Sequence, residues 1–530
     1  METDFLTETK KTFSDIIVRH YPILLSAKAS DILSYLSREL LINDKLYDWS
    51  NGLIHFQGNS LIKSQVNVTH PDVSNHEIIA LCPKVLLTAH IKSNQLHITR
   101  SERTTNNDYI IRATKQATAR DYFSELRTLS KPNTKIDQLN HSKSPPPFQG
   151  GLAGFIGYDI AAHQQITVPV DAQIQTDRLA ATFGDYDIFL KKEASNWVLY
   201  GSDNPALAPL LKDITSTLQA LEQQTKQQIV SKAADEKSHA AFTVTKPFSP
   251  KWSFEEYAYA FRRIQDYLRA GDCYQVNLTQ PFVATVQGDL TEILDDLFKL
   301  TQAPYSGYMR VGEHELLSCS PELFLLFSGM DADGHNQVIT RPIKGTRPRA
   351  KDSEQDTTEK NALIHSEKDH SENLMIVDLL RNDLSRHAVV GSVEVPALFE
   401  LESFAQVHHL VSEIRATLRP EVSALDVLID ALPGGSITGA PKKRAMEIIA
   451  ELEAMPRGAY CGSFGYLNRD GSGQFNVLIR TLQKHQDELV AWAGGGITIA
   501  SEVRAEYQEC MDKISAILEC VNRFSSGKDH

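Results

Sequence analysis

The sequence predicts an α+β protein built on mixed antiparallel sheets, and three observations carry that prediction. Strand-like and helix-like segments arrive in groups rather than in strict β-α-β alternation, which disfavours a doubly wound parallel sheet. The N-terminal half is dominated by short β-branched runs bounded by turn residues, such as HEIIALCPKVLLTA (76–89) and NWVLYGS (196–202). The composition, 42% hydrophobic, 23% charged and 8% aromatic over 530 residues, is that of a globular chain able to bury a large core.

In chain order, 130–147 (SKPNTKIDQLNHSKSPPP) reads as a polar surface loop. A second polar stretch over 223–249 sets the main boundary, giving an N-terminal region 1–245 and a second region 250–526. After it, SFEEYAYAFRRIQDYLRAGD (253–272) predicts a helix: Ser253 and Glu256 form a capping box, Tyr257, Phe261, Ile264 and Leu268 repeat at helical spacing, and Gly271 stops it. Strands follow at 274–286 and 315–327, then a long helix over 356–386, more strands, and a final helix over 502–524.

Charge and cysteine usage exclude whole classes of function. Lys and Arg total 54 against 67 Asp and Glu, a net charge of −13, so the average surface repels nucleic acid and anionic lipid. Six scattered cysteines without a C-x-x-C pair argue against a disulfide scaffold or a thiolate zinc site. The start METDFLTETKK has no secretory pattern, and no run approaches the ~18–20 apolar residues that span a bilayer, so a soluble cytoplasmic protein is expected.

Several patterns carry chemistry. Asp369 and Glu372 lie one helical turn apart, with Leu374, Val377 and Leu384 packing elsewhere, and Glu506 and Glu509 repeat the device. There Tyr507, Cys510, Ile514, Ile517 and Val521 form an apolar stripe, leaving the carboxylates and Lys513 on another face. Brought together, the four acids would offer hard oxygen ligands to Mg²⁺; apart, they are two solvated charged faces. PGGSITGAPKKRAMEII (433–449) is a glycine-rich turn feeding a helix, with Pro441 suited to its first turn: an anion site or a plain turn. It does not fit a P-loop, and GGLAGFIG (150–157) does not fit G-x-G-x-x-G. AGGGIT (493–498) permits close backbone approach to a ligand, or a tight turn. Lys344, in RPIKGTRPR, becomes a nucleophile or base if desolvation strips its proton, and Glu322, in an apolar run, suits general acid-base work if burial raises its pKa.

The order of motifs is more specific than any one of them. GDCYQVNL (271–278), SPELF (320–324), PIKGTRPR (342–349), KDHSENLMIVDLLRNDL (368–384), VHHLVSEI (407–414), PGGSITGAPK (433–442), CGSFGYL (461–467), IRT (479–481), AGGGI (493–497) and AEYQE (505–509) together resemble the chorismate-using enzymes. The likeness is strongest to the aminodeoxychorismate synthase component I branch, a relative of anthranilate synthase component I. It spans 253–521, continues more loosely through PFQGGLAGFIGYD (147–159), and leaves 32–75 as insertion or divergence.

The resemblance implies a large unit of antiparallel sheets packed face to face with helices outside. It implies Glu372 and Glu509 as Mg²⁺ ligands supported by Asp369 and Glu506, the metal gripping the ring carboxylate of chorismate. Tyr460, Arg480 and the amides of Gly494, Gly495 and Gly496 would hold the enolpyruvyl carboxylate, with Lys513, Ser436 and Thr438 completing the anion pocket and His409 near the departing group. Gln275 stands where water-adding relatives carry a lysine, which is similar to the ammonia-using branch. PIKGT, where the anthranilate branch usually has PIAGT, implies that Lys344 attacks ring C2 as the 4-hydroxyl leaves with help from Glu322, before ammonia enters at C4. With no G-x-C-x-G elbow for a glutaminase, a separate glutamine amidotransferase subunit is implied as ammonia source. A tryptophan pocket between YPILLSAKA, near Tyr21, and APYSGYM (303–309) is a weaker implication. Two alternatives stay open: anthranilate synthesis with loss of pyruvate, and a non-catalytic chorismate or tryptophan sensor.

Overall fold

The computed structural model describes residues 11–13, 16–25, 27–36, 40–42, 45–47, 52–58, 76–92, 95–104, 109–130, 147–166, 177–202, 204–230, 241–331, 333–404, 407–453 and 455–525. Among these residues two large antiparallel sheets, of 13 and 12 strands, form the framework. The larger runs from Lys11–Phe13 through His76–Ala80, Leu53–Gly58, Tyr305–Val311, His314–Ser320, Thr481–His485, Glu488–Ile497 and Gln275–Gln287 to Thr243–Pro250. The smaller runs from Ile343–Pro348 through Val407–Thr417, Leu323–Met330, Ser463–Asn468 and Gly151–Ile156 to Tyr109–Ala117.

The sheets pack face to face through a core to which Ile54, Phe56, Ile78 and Met309 contribute from one and Leu86, Phe155, Phe464 and Tyr466 from the other. Phe56 and Phe464 stack across it with ring centroids 4.6 Å apart. Helices cover the outer faces: Phe254–Ala270, Glu367–Ser385, Ala424–Ala431 and Lys442–Leu452 bury their apolar sides in one core, Ala29–Leu36, Leu294–Thr301 and Ser515–Asn522 in another. The expected α+β class and layering are present. All six cysteines are buried and unpaired.

The boundary near 245–250 does not part the sheets. Thr243–Pro250 is itself an edge strand on Gln275–Gln287, and both sheets draw strands from both sides of it. The segment 223–230, the start of the polar stretch that sets the expected boundary, continues the helix Ala208–Val230, while 131–146 and 231–240 lie outside the described residues. In 32–75 the strand Leu53–Gly58 pairs between His76–Ala80 and Tyr305–Val311, and Ile32, Leu33, Leu36 and Leu53 are buried, so these parts belong to the framework.

Two expected single strands are each two strands in different sheets. Within 76–89, His76–Ala80 joins the larger sheet and Val85–Lys92 the smaller, the chain turning at Cys82 (φ 51°) and Pro83. Within 315–327, His314–Ser320 and Leu323–Met330 part at Pro321 and Glu322, so Glu322 sits in a crossing between sheets rather than inside an apolar strand. The helix at 253 ends as expected: the capping box of Ser253 and Glu256 is formed and Gly271 closes it at φ 80°.

The helix expected over 356–386 is Ser353–Ile364 followed by Glu367–Ser385, because the Ser366 hydroxyl accepts from Asp369 N and starts a new helix. The last helix likewise divides into Val503–Asp512 and Ser515–Asn522. Leu374 is exposed, whereas Val377 and Leu384 are buried as expected, beside Ile376 and Leu380. Cys510, Ile514, Ile517 and Val521 form the expected buried stripe.

Candidate active site

A cavity of about 640 Å³ opens where ends of both sheets meet two helices. The strand Glu488–Ile497 supplies Ala493 to Gly496, the strand Ile343–Pro348 supplies Lys344, and the crossing after His314–Ser320 supplies Glu322. The helix Glu367–Ser385 presents Lys368, Asp369 and Glu372, and Val503–Asp512 presents Glu509 across from them. His409, Ser436, Tyr460, Arg480 and Lys513 complete the wall. Asp369 and Glu372 from one helix and Glu509 from the other thus turn toward one space.

Cations interleave these acids. Lys344 Nζ lies 2.6 Å from Glu372 Oε2; Lys368 Nζ lies 3.4 Å from Glu506 Oε1 and 4.0 Å from Glu372 Oε1. Arg347 meets Asp369 at 3.3 Å, and Lys513 meets Glu509 at 2.7 Å while donating to Gly494 O at 3.0 Å. Burial by itself would lower the Lys344 pKa, but Glu372, Glu509 and Glu506 outweigh it and hold the ammonium above the usual lysine value. The expectation that desolvation strips its proton is therefore not met while those acids face it. For Glu509, burial is likewise outweighed, by Lys513, Lys344 and Lys368, which hold the carboxyl below its usual value.

Glu322 behaves as its setting predicts: burial drives its carboxyl up to about 7, against the pull of Lys344, the Ile343 backbone, Arg480 and Lys513. It is an acid with a proton to give near neutrality. His409 is pushed down to about 4 by burial and Arg480, so its ring is neutral, and Nδ1 sits 2.8 Å from Thr346 Oγ1. Burial lowers the Arg480 pKa, yet among the described residues its guanidinium has no carboxylate within ion-pair distance. A half-buried guanidinium of this kind is a receptor for an anion. Tyr460, raised well above the usual phenol value by burial, is a neutral hydroxyl whose ring lies parallel to Trp492, centroids 5.9 Å apart.

The glycine run is the interior of a strand, not a turn. Gly494 and Gly496 pair with Thr279 and Asn277, and a Cβ on Gly494 would stand 2.1 Å from Leu278 O. On the other edge, Thr481–His485 pairs with this strand only as far as Ala491, which leaves the run open to the cavity.

Three expected residues stand back from the cavity wall. Glu506 is buried behind Gly495, whose Cβ would be 3.2 Å from Glu506 Oε2, and it accepts from Ser501 Oγ at 2.6 Å. Gln275 packs its amide on Gly496, with Oε1 buried and without a hydrogen bond. Thr438 is buried and its hydroxyl donates to Gly434 O at 2.9 Å, holding the turn that presents Ser436. The basic run after the turn faces elsewhere, Lys442 pairing with Asp383 at 2.6 Å and Arg444 with Asp272 at 2.8 Å; Pro441 precedes the helix as its N-cap.

Sequence reasoning passed over Lys368, Arg347, Thr346, Asn277 and Trp492, which all line the cavity. A signal existed for the first four, since they lie inside motifs singled out for their neighbours; Trp492 gives none until the strand is folded. On the expected tryptophan pocket, the side chain of Tyr21 lies outside the described residues, and 303–309 enters the strand Tyr305–Val311 beside Leu53–Gly58.

The donor set fits a hard divalent cation. Glu372 Oε1 is buried without a hydrogen-bond partner, and the acids nearby offer only carboxylate oxygens. The acids share the cavity without drawing three ligand atoms into one tight cluster among the described residues.

Comparison with known proteins agrees with this geometry. Residues 85–519 match the chorismate binding enzyme family. The chain is 43% identical over 388 residues to aminodeoxychorismate synthase component 1 of Klebsiella aerogenes, covering 72% of this chain and 80% of that one. It is 40% identical over 280 residues to anthranilate synthase component 1 of Thermus thermophilus, covering 53% of this chain and 59% of that one. Its fold matches the crystal structure of anthranilate synthase component I from Streptococcus pneumoniae with a TM-score of 0.63 at 26% identity, over 86% of this chain and 95% of that one.

Proposed function

The chain belongs to the chorismate binding enzyme family, and from that premise we propose that it catalyses the aminodeoxychorismate synthase component 1 reaction. Chorismate exchanges its ring 4-hydroxyl for an amino group, giving 4-amino-4-deoxychorismate, the precursor of 4-aminobenzoate and folate. The observation that carries this reading over anthranilate synthesis is Lys344, whose Nζ reaches the acid-lined cavity that Glu322 also lines.

The roles follow from chemistry already described. Arg480, the Tyr460 hydroxyl and the open edge of Gly494 to Gly496 hold the enolpyruvyl carboxylate, with Lys513 and Ser436 beside them. Glu372 and Glu509 hold Mg²⁺, supported by Asp369 and Glu506, and the bound cation supplies a counter-charge for the ring carboxylate.

Lys344 forms a bond to C2 from its free amine; the double-bond electrons shift, the C4–O bond breaks, and the Glu322 proton leaves with the hydroxyl as water. Burial favours that free amine and the surrounding acids oppose it, so deprotonation depends on those acids being engaged by other partners. Ammonia then bonds to C4, the electrons shift back, the C2–N bond to Lys344 breaks, and the proton shed by the incoming nitrogen returns to the site. Neutral His409, held by Thr346, flanks the departing group without adding charge.

Ammonia reaches the site from a separate glutamine amidotransferase subunit, and the chain works in the cytoplasm. No described helix is long and apolar enough to cross a membrane. The test is to incubate the purified chain with chorismate, Mg²⁺ and an ammonium salt, with and without a lyase that forms 4-aminobenzoate. A product that the lyase converts to 4-aminobenzoate supports the reading. Anthranilate with pyruvate overturns it in favour of the sister reaction, and no turnover overturns it in favour of a sensor.

A further inference from the structure

A second cluster of ligating side chains lies apart from the acid-lined cavity. His90 comes from the strand Val85–Lys92 of the smaller sheet, His314 opens the strand His314–Ser320 of the larger one, and Asp177 immediately precedes the strand Arg178–Tyr186. The ligand atoms of these three residues all lie within 4.8 Å of one another. His90 Nδ1 is 3.0 Å from Asp177 Oδ1, while Lys92 Nζ holds the other oxygen, Oδ2, at 2.7 Å. The His90 and His314 rings meet edge to face with centroids 5.2 Å apart, and His485 stacks on His314 at 4.1 Å. Asp177, His314 and His485 line a cavity of about 300 Å³, separated from the acid-lined one by Trp492, which borders both.

Two features favour a cation over simple packing. Two imidazoles and a carboxylate are a donor set for zinc-class ions, whereas Mg²⁺ takes oxygen. Bonds of about 2.0–2.1 Å in tetrahedral geometry would place the three atoms about 3.3 Å apart, a rearrangement of side-chain ends already within 4.8 Å of one another.

We propose that His90, His314 and Asp177 form a binding site for a zinc-class divalent cation that ties the two sheets together and keeps its fourth position open to the smaller cavity. The test uses the untagged full chain, stripped with chelator and held in excess Mg²⁺ so that oxygen-only sites are filled, and titrates it with Co²⁺. One equivalent of Co²⁺ with the intense visible bands of a four-coordinate ion, displaced by Zn²⁺, is expected. His314→Gln and, separately, His90→Gln, each checked for native far-UV circular dichroism, should weaken binding by at least about tenfold to a hundredfold. Zn²⁺ at about a hundred times its Kd should raise the Tm of the unaltered chain by about 2 °C and leave His314→Gln unmoved. Absence of the four-coordinate spectrum, or binding equally tight in both folded variants, overturns the proposal.

Discussion

Glu322→Gln separates catalysis from stability at one buried group. The carboxyl lies in the crossing between the sheets, and burial lifts it from an ordinary 4.5 to about 7. At pH 7 about half the molecules then hold the proton that must leave with the hydroxyl, where an ordinary glutamate would hold it in about one molecule in 300. The amide keeps the shape and cannot donate that proton, so turnover should fall by about 10²–10⁴. The unaltered enzyme should lose activity as pH rises through about 7, and the variant should lack that limb.

Stability moves the other way. Because the folded state holds this proton more tightly than the unfolded state, the group's contribution is fully favourable below about 4.5 and is lost as pH rises through about 7. Above that, ionised Glu322 costs about 3 kcal/mol, which the amide avoids. For a chain of 530 residues this is a Tm gain of about 3 °C at pH 8 and close to none at pH 5. Product chromatography between pH 6 and pH 9, with calorimetry at pH 5 and pH 8, reads both. Undiminished turnover, or a variant no more stabilised at pH 8 than at pH 5, would falsify the assignment of Glu322 as the buried acid.

Lys344→Ala should cut amination by at least about a thousandfold while chorismate binds within about tenfold of its usual affinity; equal rates in a kcat and Kd comparison refute the nucleophile. Chelation of Mg²⁺ should stop turnover, and Glu372→Gln should raise the Mg²⁺ concentration for half-maximal rate by at least about tenfold; an unchanged requirement removes Glu372 from the metal site. Gly494→Ala drives a Cβ against Leu278 O and should destabilise by about 2 kcal/mol in denaturant titration. Gly495→Ala meets the Glu506, Lys513 and Glu509 side-chain ends, at 3.2, 3.5 and 3.7 Å, so it should lose turnover and keep stability within about 1 kcal/mol, and the reverse ranking refutes the placement of the run.

Features that depend on near neighbours are legible along the chain alone. The capping box at Ser253 and the stop at Gly271 formed as read, and each acidic pair shares a helix face, because contacts within four residues decide them. The motif order also carried the family, and the fold between those motifs brings Lys344, Glu372 and Glu509 to one cavity. Tertiary structure decided everything that depends on distant partners. Whether 76–80 and 85–92 lie in one sheet or two is settled by pairing with the distant strands Ile188–Glu193 and Arg178–Tyr186, and nothing in their common apolar pattern distinguishes the cases. The proton on Lys344 is likewise set by acids from two other helices, which overcame the burial that a reading of PIKGT alone would have taken as decisive. His90 and His314, unremarkable in two separate strands, become neighbours only because the two sheets pack face to face; periodicity records which face a residue occupies, not what the opposite sheet brings to it.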